Sequence, residues 1–167
     1  MERIVIIGCP GSGKSTLARE LGEKLDLPVV HLDRLWWTKG WRNVSREEFD
    51  TRLENALKLD RWIIDGNYSR TMDVRLAKCD TIIWLDYSHW VCLWGMFQRV
   101  VLNYGKNRPD MAEGCPERFD WEFLKYIWNF NKNNRVLNST RIAKSKHADA
   151  IVLKNRKEKQ AFLDSLA

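Results

Sequence analysis

The sequence predicts an α/β protein in which a parallel sheet is covered on both faces by helices. Three observations point there. Short apolar runs alternate along the chain with segments of helical periodicity. The runs are apolar throughout instead of at every second residue, as expected of strands buried on both sides. The first run passes directly into a glycine-rich turn and then a helix, through Gly8, Cys9, Pro10, Gly11, Ser12, Gly13, Lys14, Ser15 and Thr16.

Each element follows from its residues. Arg3 to Ile7 reads as a buried strand, and Leu17, Leu21 and Leu25 recur at helical spacing over 14–25. Pro28 breaks that pattern before a short second strand, Val29 to Leu32. Ser45 and Glu48 have capping-box spacing and open a helix over about 46–58, with Phe49, Leu53 and Leu57 on one face. Trp62 to Ile64 is a third strand that ends at Asp65 and Gly66, and 70–78 is a short helix or turn. Thr81 to Leu85 is a fourth strand. A helix over about 89–104 places Trp90, Trp94, Phe97, Val101 and Tyr104 on one stripe. The polar, Gly- and Pro-containing stretch 105–118 is the candidate mobile lid. A helix over about 119–134, a fifth strand from Asp149 to Leu153 and a closing helix over 156–166 complete the chain.

The turn at 8–16 is a complete Walker A element, Gly-x-x-x-x-Gly-Lys-Ser/Thr. Its glycines let the backbone wrap phosphates closely, with amide N–H groups pointing inward. The expected nucleotide-binding residues are Gly8, Pro10, Gly11, Ser12, Gly13, Lys14, Ser15 and Thr16. Lys14 can reach the β- and γ-phosphates, and the Ser15 hydroxyl is placed to ligate Mg2+. The strand before the motif and the helix after it supply the context this chemistry needs, because a helix N-terminus favours anions. The expected architecture is a three-layer P-loop NTPase fold with a five-stranded parallel sheet and a helical lid.

A chain of 167 residues suits one domain. The first strand begins at residue 3, which leaves no room for a signal peptide, and no run of 18 apolar residues appears. Cys9, Cys79, Cys92 and Cys115 lack metal-type spacing, so free thiols and a cytoplasmic location are expected. The net charge is +6, and residues 125–159 carry ten Lys/Arg against two acidic residues. Such a run can contact nucleic acid, or it can be a solvated helix face plus the arginines of a phosphate site; the second is favoured. Of nine tryptophans, Trp90, Trp94, Trp121 and Trp128 sit at helical spacings and are expected in the core or in a packed lid. Trp36, Trp37 and Trp41 cluster after the second strand.

In an open parallel sheet, ligands lie beyond the carboxyl ends of the strands. Asp33, Asp65 and Asp86 follow the second, third and fourth strands. Asp65 ends an apolar strand as a Walker B aspartate does, which makes it, with Ser15, a candidate for the metal side. Asp86 competes for that place, or caps the next helix with Ser88. Asp33 can accept a hydrogen bond from an acceptor hydroxyl as general base, support the metal through a water, or simply stabilise a turn. His31 reads as a strand residue with a satisfied ring. Arg70, Arg99, Arg108, Arg118 and Arg135 are candidate phosphate clamps, since guanidinium grips phosphate bidentately. Arg108 and Arg118 belong to the lid, whose closure would exclude water.

The Walker A element, Asp33, and the segment from Trp62 through Asp65, Gly66, Asn67, Tyr68, Ser69 and Arg70 to Thr71 resemble the adenylate-kinase-like small P-loop kinases. Those kinases carry an apolar run followed by Asp-Gly-Phe-Pro-Arg-Thr; here one extra residue separates Asp-Gly from Arg-Thr. The resemblance implies that Asp65 is magnesium-associated and that Arg70 binds phosphate on the acceptor side. A closer resemblance, carried by residues 31–37, the Asp65 segment and 108–124 and covering nearly the whole chain, is to bacterial proteins labelled DNA topology modulation proteins. The segment after Asp33 departs from the usual AMP-binding sequence. Trp36, Trp37 and Trp41 there can stack on a base or sugar ring, or pack a small helical subdomain.

The expected function is an ATP- and Mg2+-dependent phosphotransferase, a small-molecule kinase acting on a nucleotide, nucleoside or similar acceptor. The alternative is a nucleic-acid-associated NTPase or regulator involved in DNA topology. The catalytic candidates are Lys14, Asp33, Arg99 and Arg108. The acceptor-binding candidates are Asp33, Trp36, Trp37 and Arg70. One domain over 1–167 is expected, with an acceptor-side segment at about 33–60 and the lid at 105–118. ATP and a small acceptor are the expected partners, in a monomer or dimer away from membranes.

Overall fold

The computed structural model describes residues 1–166. Along the chain these form β1 (Arg3–Gly8), α1 (Lys14–Leu25), β2 (Val29–His31), α2 (Leu32–Trp36), β3 (Trp37–Thr38), β4 (Arg42–Asn43), α3 (Arg46–Ala56), β5 (Trp62–Asp65), α4 (Ser69–Lys78), β6 (Thr81–Leu85), α5 (His89–Asn103), α6 (Trp121–Lys144), β7 (Asp149–Leu153) and α7 (Arg156–Asp164). Five strands make one sheet in the order β2-β5-β1-β6-β7, parallel throughout. The expected three-layer P-loop architecture is therefore present. β3 and β4 form a separate two-stranded hairpin that the residue pattern does not announce.

Period-two alternation in β1 builds both cores. Ile4 and Ile6 face one side, where they meet Leu17 and Leu21 of α1, Ile127 and Phe130 of α6 and Leu163 of α7. Val5 and Ile7 face the other, against Phe49 and Leu53 of α3 and Met72 and Leu76 of α4. Each such side chain, fully buried, contributes about 1.5–3 kcal/mol. The helices start where the caps stand. Ser45 accepts from the Glu48 amide at 3.1 Å, and Asp120 accepts from the Glu122 and Phe123 amides at 3.0 and 3.1 Å.

Three differences from the sequence expectation have physical causes. α6 runs to Lys144, ten residues past its expected end at 134. Its second half has modest helix propensity but is docked: Asn138 is buried, and Arg141 donates to Asp73 at 3.0 Å. The stretch 105–118, expected to be a helical lid, is irregular and lies between the ends of α5 and α6. That irregular stretch is tied down by a bridge between Tyr104 and Glu117 and by the Gly40 amide bonding the Gly114 carbonyl at 2.8 Å. The helical tryptophans are not in the core: Trp90 is 63% exposed, Trp94 55% and Trp121 62%. They lie on the faces of α5 and α6 opposite Cys92, Met96, Ile127 and Phe130, the residues those helices do bury. Among the described residues, no helix is long and apolar enough to cross a membrane.

Candidate active site

The carboxyl ends of the central strands open onto one cleft of about 1000 Å³. Its floor is the loop after β1. Gly11 and Gly13 have φ of 80° and 91°, a region open to glycine and strained for other residues. A side chain on Gly11 would strike the Cys92 carbonyl, and one on Gly95 would strike the Gly11 carbonyl. The backbones of the loop and α5 are thus in direct contact. Gly13 also caps α1 without a side-chain bond, so the first-turn amides stay free for an anion. Lys14 Nζ donates to the Cys9 carbonyl at 3.0 Å, and burial pulls its pKa down while the Asp65 charge opposes that pull.

Asp65 ends β5 and lies in register with His31 at the end of β2. Its two oxygens are used separately. Ser15 Oγ, in the first turn of α1, donates to Oδ2 at 2.7 Å, and His31 Nδ1 lies 2.5 Å from Oδ1. His31 and Asp65 are both buried. Asp33 sits in the first turn of α2 and accepts from the Tyr68 hydroxyl at 2.8 Å. Burial raises the Asp33 pKa, and the Tyr68 hydrogen bond works against the rise.

Three residues that sequence reasoning left without a role hold this arrangement. Arg75, on α4, is fully buried and donates to the carbonyls of Gly66, Asn67 and Tyr68 at 2.9, 2.6 and 3.2 Å. Burial lowers its pKa to about 10. Asn67 bonds both backbone groups of Gly8, giving at 2.9 Å and accepting at 3.2 Å. Tyr68, at φ 26°, is kept in a strained conformation between them. Asn67 and Tyr68 fall within the motif segment that signalled the site. Arg75 gives no signal, since an arginine on a helix ordinarily faces water.

The other candidates separate clearly. Pro10 to Thr16, Asp33, Trp37, Asp65, Arg99 and Arg108 line the cleft, and Gly8 lies beneath it, bonded to Asn67. Arg70 does not reach it: both its terminal nitrogens bond Asp50, at 2.8 and 2.6 Å. Trp36 also turns away, packing edge-on against Phe49 at 5.4 Å between centroids. Arg70 is the second residue of α4 and lies on the face that meets Asp50. Trp41 contacts Trp37 at 5.5 Å, and the Arg118 guanidinium lies over the Trp41 ring at 4.9 Å. Arg135 is bound to Asp86 at 2.7 Å, which removes both from the site, while Ser88 caps α5. Arg19, Arg156 and Lys159 add positive charge along the cleft, Lys159 being held by Glu20 at 2.7 Å. The four cysteines are unpaired and buried.

A glycine cradle at a helix N-terminus, a lysine in the loop, and a hydroxyl–carboxylate pair beside it together define a nucleotide-phosphate site of the P-loop class. The chain belongs to the AAA domain family, whose profile matches residues 4–103. Among named relatives, an adenylate kinase of Mycobacterium leprae is 33% identical over 86 residues, 48% of this chain and 42% of that protein. The chain thus aligns with less than half the length of the curated relatives it matches. Among solved structures, shikimate kinase from Bacteroides thetaiotaomicron matches with a TM-score of 0.60 at 16% identity, covering 99% of this chain and 96% of that one. Shikimate kinase from Acinetobacter baumannii, in complex with shikimate, matches with a TM-score of 0.64 at 14% identity over 99% of this chain and 90% of that one. These last two share the fold.

Proposed function

We propose that this chain is a phosphotransferase that uses ATP and Mg2+ to phosphorylate a nucleotide, nucleoside or similar small acceptor bound beside Asp33. The observation that carries the proposal is the convergence of Lys14, the Ser15–Asp65 pair and Asp33 on one cleft. A volume of about 1000 Å³ is at the upper end for a ligand site and suits two small molecules side by side. Simple hydrolysis needs no second compartment.

Each residue then has a task. The loop amides and Lys14 hold the triphosphate. Ser15 Oγ and Asp65 are hard oxygen donors of the type Mg2+ takes. Among the described residues no three His, Cys, Asp or Glu group as a metal cage, which suits a cation held largely by phosphate and water. When bound, the cation screens the phosphate charge and aligns the transferring group. His31 keeps Asp65 oriented. Asp33 receives the acceptor hydroxyl's hydrogen bond and Tyr68 steadies its carboxylate. Arg99 and Arg108 bring positive charge from the lid side, and the lid keeps out water that would compete as acceptor. The chain works as one domain, with 33–60 toward the acceptor and 105–118 as lid.

The test is a transfer screen with labelled ATP against nucleosides, nucleotides and small metabolites, with an arm containing DNA. The expected result is Mg2+-dependent labelling of a small acceptor that Lys14→Ala abolishes with the fold intact. Turnover unchanged in that variant, or hydrolysis that only DNA stimulates, would overturn the assignment.

A further inference from the structure

We propose that the acceptor carries no phosphate: it is an uncharged, hydroxyl-bearing ring compound, such as a nucleoside or cyclic polyol, and not a nucleoside monophosphate. This deepens the kinase assignment and rests on it. A dianionic acceptor needs guanidinium groups free to grip it. The two arginines at this end of the cleft are already engaged. Arg99 Nε and Arg108 Nε lie 3.0 and 2.9 Å from the same oxygen of Glu117, which is buried. Arg108 Nη1 also donates to Asp110 at 3.1 Å. Glu117 cannot easily withdraw, because its own backbone pairs with Gly105 and Lys106, both at 2.9 Å.

With Asp33 added, these two guanidiniums face three carboxylates, so neither is an unpaired cation waiting for an acceptor phosphate. Their remaining donors suit one transferring phosphoryl group and not a second phosphate. Arg70, the residue that would have bound an acceptor phosphate, is occupied by Asp50 outside the cleft. Trp37 and Phe123 line the same space and offer ring surfaces to an apolar body.

The experiment compares matched pairs as acceptors with labelled ATP: adenosine with AMP, thymidine with dTMP, inositol with inositol monophosphate. An unphosphorylated member should be preferred by about tenfold or more in kcat/KM. Glu117→Gln, which removes one negative charge from the arginine pair, should shift that ratio toward the phosphorylated member by about tenfold; Glu117→Asp, checked by circular dichroism, guards against a folding defect and should keep the original preference. Faster transfer to a monophosphate, or a ratio unmoved by Glu117→Gln in a folded protein, overturns the proposal. If no probe is phosphorylated, the kinase assignment itself fails. The charge preference is then read by calorimetry with a non-hydrolysable ATP analogue filling the donor site, and tighter binding of any monophosphate than its parent overturns it.

A separate observation carries a second assignment. Trp90, Trp94, Phe97 and Val101 form a charge-free stripe on α5, and the Trp90 ring meets Trp128 of α6 at 5.0 Å, extending the stripe toward Trp121. Each of these side chains is about half exposed or more. At 150–250 Å² per aromatic side chain they offer roughly 600 Å², at the top of what a typical monomer exposes in one patch. The structure assigns this face to a second copy of the same chain. Two such patches meeting across a two-fold axis bury about 1,200 Å², enough for a specific interface before the rim is counted. Lys125, between Trp121 and Trp128 on α6, is paired with Glu122 at 3.0 Å, so the face carries no net charge to repel its own image. Sedimentation velocity at micromolar concentration should give twice the 19.8 kDa chain mass, and Trp94→Glu or Phe97→Glu should return it to one chain mass with ATP binding intact. A wild-type monomer overturns the assignment, as does a monomer that instead binds phosphatidylglycerol vesicles or a short DNA duplex.

Discussion

Asp33 and Arg75 represent the two ways single residues act here. Asp33 is exposed to the cleft but desolvated, so its carboxyl titrates above the ordinary range. As an acceptor for a hydroxyl proton it must be ionised. The transfer rate should therefore fall as pH drops through that raised pKa and level off above it, and a pH–rate profile of kcat/KM reads the limb directly. Asp33→Asn should lower transfer by about 10²–10⁴-fold, the range for a lost general base, and leave ATP affinity nearly unchanged. Equal losses in both would place Asp33 on the metal side. Arg75 acts on structure. Its three carbonyl partners, those of Gly66, Asn67 and Tyr68, would lose their donor in Arg75→Ala. An unpaired buried group costs about 1–3 kcal/mol, so urea unfolding should show a loss of about 3 kcal/mol or more, with Arg75→Lys recovering only part.

At the scale of elements, the join between the phosphate loop and α5 is the tightest constraint. Gly95 exists because the helix backbone touches the Gly11 carbonyl. Gly95→Val would force the loop and the helix apart at a cost of about 1–3 kcal/mol for overpacking. The expected readout is a roughly tenfold or greater loss of ATP affinity by calorimetry with helix content retained. α6 teaches a different lesson. Its second half exists through burial of Asn138 and docking of Arg141 on α4, so propensity alone ends the helix ten residues early. The β3–β4 hairpin is similar: two-residue strands are too short to carry a pattern, and it is fastened by Cys115 Sγ donating to the Thr38 carbonyl at 3.0 Å and Trp41 Nε1 to Pro116 at 3.2 Å.

For the whole molecule, the donor site couples to global stability, because the loop exists as a phosphate cradle only in the folded chain. ATP with Mg2+ at about a hundred times its dissociation constant should stabilise the protein by about 2.7 kcal/mol. For a chain of this size that is a rise in Tm of about 5–10 °C. Differential scanning fluorimetry checks this, and Lys14→Ala should remove most of the shift.

The Walker A loop, the five strands and the carboxylates at their ends were all legible in the residues. Their signals are local: a motif fixes a turn, an apolar run fixes a buried strand, and a parallel sheet gathers its carboxyl ends on one side. Which arginine meets the cleft was not local. Arg70 and Arg99 are chemically alike, yet one faces Asp50 outside the cleft and the other faces Glu117 within it. That choice depends on partners 20 and 18 residues away in sequence, brought near only by folding. The tryptophan stripes were equally ambiguous, since helical spacing says that residues share a face but not what the face meets. Sequence alone determined the P-loop cradle at the carboxyl end of a parallel sheet. Tertiary packing decided which charges line the cleft beside it, because a charge's availability depends on every neighbour it acquires.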